Sequence, residues 1–77
     1  PNPTTGLLYA DLSNWMGEKV ALRILDATGK QLQQLKLTAD SVPQELQLSR
    51  DLPEGLYFLD METGRGEKQA VRFVVLR

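Results

Sequence analysis

The chain reads as an all-β domain, a small antiparallel sandwich of six or seven short strands. Three observations predict it. Apolar residues alternate with a period of two through most segments. Turn-forming residues recur about every 8 to 12 positions, the spacing of short strands in a sandwich. No stretch carries the spacing of an amphipathic helix.

The first element is the lead-in Pro1-Asn2-Pro3-Thr4-Thr5-Gly6. Both residues that precede a proline are biased to extended backbone, and Gly6 closes the turn. A strand follows over 7–12, with Leu8, Ala10 and Leu12 on one face. The connection 13–18 is too short for an ordinary helix, and its Trp15 is placed as a cap on one end of the core. The second strand, 19–25, turns Val20, Leu22 and Ile24 to one side. Asp26-Ala27-Thr28-Gly29 then reads as an Asp-initiated type I turn between antiparallel strands.

The return strand, 30–38, slips in phase, since Leu32 is even and Leu35 and Leu37 are odd. A bulge near Gln33 and Gln34 would keep all three leucines inward and leave the glutamines in solvent. A short strand with Leu46 and Leu48 on one face leads to the clearest turn in the chain, Asp51-Leu52-Pro53-Glu54-Gly55. Pro53 fixes its own φ and Gly55 supplies a positive one. Leu56 to Met61 then alternates, with Tyr57, Leu59 and Met61 together. A tyrosine just after such a corner is placed to bury its ring and return its hydroxyl to the backbone upstream. The loop 62–67 reads as a hairpin. The last strand, 68–76, is apolar on both faces apart from Arg72, which predicts neighbours on either side.

Composition narrows the function. With 77 residues there is room for one domain, which buries roughly 60% of the surface its unfolded chain exposes. There is no cysteine and no histidine, so disulfides, thiolate metal sites and the commonest general base are all missing. The formal net charge of -1 argues for neither nucleic acid nor an anionic membrane. No apolar run reaches the roughly 18 residues of a membrane span. Asp60 and Glu62, on one side of a strand, are the best candidates for an acid/base pair or a calcium site, and Asp51 and Glu54 come next. An acidic strand that keeps a small β domain soluble is the stronger reading of them. The expectation is therefore no enzyme, no cofactor and no metal. Arg65, Lys68, Arg72 and Arg77 read as a basic cluster at the C-terminal end, either a solvated face or a docking patch.

Four motifs carry a resemblance. The lead-in 1–6, Leu25-Asp26-Ala27-Thr28-Gly29-Lys30, Leu52-Pro53-Glu54-Gly55-Leu56-Tyr57-Phe58-Leu59 and Arg72-Phe73-Val74-Val75 occur in order across the chain. Together they resemble the type A C-terminal sorting domain of the type IX (Por) secretion system. The resemblance implies an immunoglobulin-like antiparallel β-sandwich of about seven strands, at the C-terminus of longer secreted proteins of Bacteroidetes. It implies a folded address, read by the type IX translocon for a cargo domain on its N-terminal side. A cell-surface sortase then commonly cuts upstream of the domain and joins the cargo to anionic lipopolysaccharide.

Carried over by position, the motif residues are Pro1, Pro3, Gly6, Gly29, Lys30, Gly55, Tyr57, Phe73, Val74 and Val75. The cations Lys68, Arg72 and Arg77 complete the expected recognition set. At Arg72 the family usually has lysine, so charge is kept and the ammonium is not. Residues 71–77 are the expected main recognition element, through strand addition or charge complementarity. A competing class is a fibronectin-like adhesion, spacer or carbohydrate-binding module, with Trp15 or Tyr9 as an aromatic platform.

Overall fold

A computed structural model describes residues 4–77, and the expected motif residues Pro1 and Pro3 lie outside them. Six strands run in order along the described chain: β1 (Leu7–Ala10), β2 (Lys19–Asp26), β3 (Gln31–Thr38), β4 (Gln44–Gln47), β5 (Gly55–Thr63) and β6 (Lys68–Val75). A single 3-10 turn, Ser13–Trp15, interrupts the first connection. The strands form two antiparallel sheets, a four-stranded one in the order β3-β2-β5-β6 and a pair β1-β4. This is the expected all-β sandwich, compatible with an immunoglobulin-like arrangement.

The period-2 pattern places the core. Leu8, Ala10 and Leu12, then Val20, Leu22 and Ile24, then Tyr57, Leu59 and Met61 are all buried, and Leu46, Leu48, Phe73 and Val75 join them. Both sheets thus contribute to one apolar cluster. Trp15 is buried at its margin, as the sequence predicts. Its indole Nε1 donates to Glu67 Oε2 at 3.1 Å.

Both hairpins of the larger sheet close with the same chemistry. In Asp26 to Lys30 the Gly29 N–H donates to Asp26 O at 3.0 Å, and the Asp26 N–H donates to Lys30 O at 2.9 Å. In Thr63 to Glu67 the Gly66 N–H donates to Thr63 O at 3.0 Å, and the Thr63 N–H donates to Glu67 O at 2.9 Å. The fourth residue takes positive φ in each, 91° at Gly29 and 89° at Gly66. That is a type I turn followed by a left-handed residue, the usual three-residue hairpin loop. The side chain of the first residue completes it, for Asp26 Oδ1 accepts the Lys30 N–H and Thr63 Oγ1 the Glu67 N–H.

The structure corrects two strand readings. The irregularity in β3 lies at Leu32, because Ile24 pairs with Gln33 and Leu25 with Gln31. Leu32 and Leu37 pack against the core while Leu35 stays exposed, since the β1-β4 pair is too narrow to cover all of the larger sheet. Gln33 therefore lies on the inner side at the open margin and bridges the sheets. Its Oε1 accepts the Ser49 N–H at 2.9 Å and its Nε2 donates to Gln47 O at 3.4 Å. β6 is the second correction, since it is an edge strand. It pairs with β5 on one side, and on its other side Thr4 forms a parallel bridge with Val75. Its apolar pattern is explained by Phe73 and Val75, which are buried, and Val74, which is half-buried; Lys68 to Arg72 are exposed.

β5 is paired on both sides, so its starting point sets the frame of the sheet. That point is held by the Tyr57 hydroxyl, which donates to Pro53 O at 2.7 Å. The ring is buried and stacks on Phe73 across the strands, with centroids 5.8 Å apart. Tyr57→Phe is expected to cost about 1–2 kcal/mol, because it leaves a partly buried carbonyl unpaired. Urea denaturation with an unchanged m-value would check it.

Candidate functional site

Most of the motif residues gather at one end of the sandwich. Strand register places them there: Asp26 pairs with Tyr57, Tyr57 with Phe73 and Gly55 with Val75. The Asp26–Lys30 turn, the corner before β5 and the C-terminal end of β6 therefore share an end, and the lead-in joins them through Thr4 and Gly6. The Thr4 N–H donates to Val74 O and the Leu76 N–H to Thr4 O, both at 2.9 Å. Gly6 O accepts the Leu48 N–H at 2.9 Å, linking the lead-in to the chain beyond β4.

Arg77 ties the end together. Its Nε donates to Leu52 O at 3.0 Å, Nη1 to Thr5 O at 3.0 Å and Nη2 to Ser49 O at 2.9 Å. Its backbone N–H donates to Glu54 Oε1 at 2.8 Å. Three carbonyls from two distant segments thus converge on one guanidinium, a geometry that needs its planar fork of donors. Gly6 faces this group, since a Cβ there would stand 3.6 Å from Nη1. At φ 153°, Gly55 starts β5 in backbone that side-chain-bearing residues rarely adopt.

The expected basic cluster is divided between the two ends. Arg65 lies at the other end, where it bonds Glu18 through Nε and Nη2 at 3.0 and 2.9 Å and Glu67 at 3.0 Å. Those carboxylates hold its guanidinium above its ordinary pKa, Glu18 contributing most. Lys68 opens β6 opposite Glu62, Arg72 lies opposite Phe58 in mid-strand, and Arg77 is at the motif end. The antiparallel β5–β6 hairpin separates Arg65 from Arg77 by the length of the strand, about 25 Å. The acidic pair does lie on one side as predicted, and Arg23 answers it, with Nη1 3.8 Å from Asp60 and 3.4 Å from Glu62. No group of three or more acidic side chains suited to a metal occurs among the described residues.

Sequence reasoning missed Thr4 and Glu54 as members of this end. Thr4 is buried, and its Oγ1 accepts the N–H groups of Gly6 and Leu7 and donates to Leu7 O. A threonine two residues before a glycine is the one local signal of that turn. Glu54's role depends on a partner 23 positions away, which no local pattern encodes. Of the two aromatic-platform candidates, Trp15 is buried and Tyr9 is 54% exposed.

Comparison with known proteins gives one match. The family model for the secretion system C-terminal sorting domain aligns with residues 1–76. No curated protein and no solved structure matches.

Arg77→Ala is expected to lower the thermal midpoint by about 4–8 °C, the shift for roughly 1 kcal/mol in a domain this size. Arg77→Lys should recover little of it, because an ammonium is a compact donor that cannot span three carbonyls. Differential scanning calorimetry of both variants separates these outcomes. A second expectation concerns Asp26, whose carboxyl is held below the usual range by the Thr28 hydroxyl first and the Lys30 N–H next. A depressed folded-state pKa adds stability above the unfolded value, near about 4, and loses it as pH falls through the folded value. Asp26→Asn should therefore flatten the fall in thermal midpoint from about pH 4 downward.

Proposed function

The chain belongs to the secretion system C-terminal sorting domain family, the sorting signal of type IX secretion, and on that premise we propose how its signal is carried. It acts as a non-catalytic, folded address for a cargo on its N-terminal side, read by the type IX translocon after the cargo has reached the periplasm. Passage through the outer membrane leaves the cargo at the cell surface or in the medium. A cell-surface sortase then cuts upstream of the domain and joins the cargo to anionic lipopolysaccharide.

The recognition element is β6 with the chain that follows it, residues 71–77, presented by the end at which the motif residues meet. The observation that carries this reading is the meeting of the motif segments at the C-terminal end of β6, where Gly55 pairs with Val75 and Thr4 bonds both Val74 O and the Leu76 N–H. Tyr57, Gly55, Gly6 and Arg77 support it by fixing the corner and the C-terminal end of β6, and Gly29 closes the hairpin turn at the same end of the sheet. Lys30 and Val74 stand at the same end of the sheet and belong to the same presented surface. Burial of Trp15 weakens the rival reading of a carbohydrate-binding module, which then has Tyr9 alone as its platform.

Export of a folded periplasmic reporter bearing residues 1–77 at its C-terminus tests the address, in a Bacteroidetes host with and without a working type IX system. Surface or medium reporter only in the competent host is expected. Retention in the periplasm of both hosts, with the domain shown to be folded, would overturn it and favour an adhesion or spacer module.

A further inference from the structure

At the opposite margin of the larger sheet, β3 presents an edge that is complementary to itself. From its backbone direction, its charge pattern and the cleft beneath it we infer that two copies of this chain associate through β3, antiparallel and centred on Leu35, into one eight-stranded sheet.

Backbone direction comes first. The Ala39 N–H donates to Glu18 O at 2.8 Å and Ala39 O accepts the Gly17 N–H at 3.0 Å, so Ala39 faces β2. Period-2 alternation turns Leu37, Leu35 and Gln33 the same way, and the N–H and C=O groups of Gln34, Lys36 and Thr38 point outward. Among the described residues no strand or loop pairs with that side of β3. Thr4 stands beyond β6, four strand spacings or about 19 Å from β3, and the three residues before it span at most about 11 Å. They cannot reach this edge. β3 also lacks the usual guards of an edge strand, for Lys36 is its one charge and it contains no proline.

Side chains choose the register. Leu35 is on the inner face yet is 44% exposed, because the narrow β1-β4 pair leaves this margin uncovered. A cleft of about 290 Å³ opens there, lined by Leu22, Ile24, Leu35, Leu46 and Leu48, with glutamines at its rim. Two such edges, with outward groups at even positions, can meet only with the two-fold axis passing at a residue. An axis at Lys36 sets that cation against itself, and one at Gln34 brings the outward groups of Lys36 onto the irregularity at Leu32. An axis at Leu37 spends the contact on a leucine already packed in its own core and leaves Leu35 opposite a residue past the end of the strand. The axis at Leu35 has none of these faults. Lys36 then stands opposite the other copy's Gln34, and the two pairs of these residues exchange four backbone bonds. The Leu35 side chains meet across the axis as a pair without hydrogen bonds, the closer kind, and each covers the other's cleft. The same axis turns the two motif ends to opposite ends of the joint sheet and leaves both β6 strands outermost, so no residue of the motif end takes part.

The interface is small, so association is weak, with a Kd of about 0.1–1 mM. Sedimentation equilibrium of the 77-residue chain from about 10 μM to about 2 mM, which spans that Kd, is expected to show the mass rise toward twice that of the monomer. Backbone amide shifts in NMR over the same range should be largest within 33–37. A mixture of isotope-labelled and unlabelled chains should show a nuclear Overhauser contact between the Leu35 methyls of different copies. Leu35→Lys sets two cations on the axis, and Gln34→Pro removes an outward N–H without touching the bonds to β2. Each should weaken association at least tenfold, while Lys68→Glu on β6 leaves it unchanged. Trp15 fluorescence reports whether each variant keeps its fold.

A chain that stays monomeric at about 2 mM would overturn the inference and leave the edge to a different protein. Assemblies larger than a dimer would also overturn it, because a two-fold pairing uses up the edge and closes. So would shifts or intermolecular contacts centred outside 33–37, or folded Leu35→Lys and Gln34→Pro variants that associate like the parent. If a variant unfolds, the dilution shifts of the parent and its Leu35 contact decide the matter alone.

Discussion

The bond from the Tyr57 hydroxyl to Pro53 O, 2.7 Å long, is the constraint from which the rest of the domain is measured. It sets where β5 begins, and β5 is the strand paired with both β2 and β6. A slip of one residue there would turn Tyr57, Leu59 and Met61 out of the core and bring Phe58 and Asp60 in. It would also displace β6 against the corner and take Arg77 away from Leu52 O and Ser49 O. A domain of 77 residues has few other interactions with which to absorb such an error. One hydrogen bond between neutral groups contributes about 1 kcal/mol. Its leverage lies in register.

The two ends of the sandwich are closed by different means. At the far end the ion pairs of Arg65 with Glu18 and Glu67 are exposed, and pairs of that kind contribute at most about 1 kcal/mol each. The larger contribution there is the burial of Trp15, which Glu67 orients through the indole N–H. At the motif end the closure is made of backbone groups. Thr4 supplies two bonds to the end of β6 and Arg77 three to the corner and the lead-in. The first and last described segments are thereby fastened to each other, so the end that bears the motifs forms only when the chain is folded throughout.

Much of this was legible in the sequence, because its signals are local. Alternation identified the inward rows of β2 and β5, and the paired Gly and Pro of the corner placed the start of β5. Asp26 and Gly29 announced their turn. Pairing partners were not legible. The even spread of apolar residues in 68–76 suggested a central strand, yet an edge strand whose last third is buried has the same pattern. Period 2 reports which face is covered and not which neighbour lies alongside. The phase slip in β3 was visible, but its place was not, since the bulge residue is chosen by pairing with β2 and by the Gln33 bridge to the other sheet. The four C-terminal cations looked like one patch because they are close in sequence. A hairpin and an eight-residue strand carry them to opposite ends.

An exposed edge strand is normally a liability, and β6 carries the usual guards. Lys68 and Arg72 punctuate it, and Thr4 closes its apolar end, where Phe73 and Val75 would otherwise offer the most adhesive segment. These guards discourage pairing with a second copy. In an antiparallel pairing of two β6 edges centred on Ala70, each Lys68 would stand opposite the other copy's Arg72, a like-charge contact. Protection against self-association thus follows from the placement of these charges along the strand.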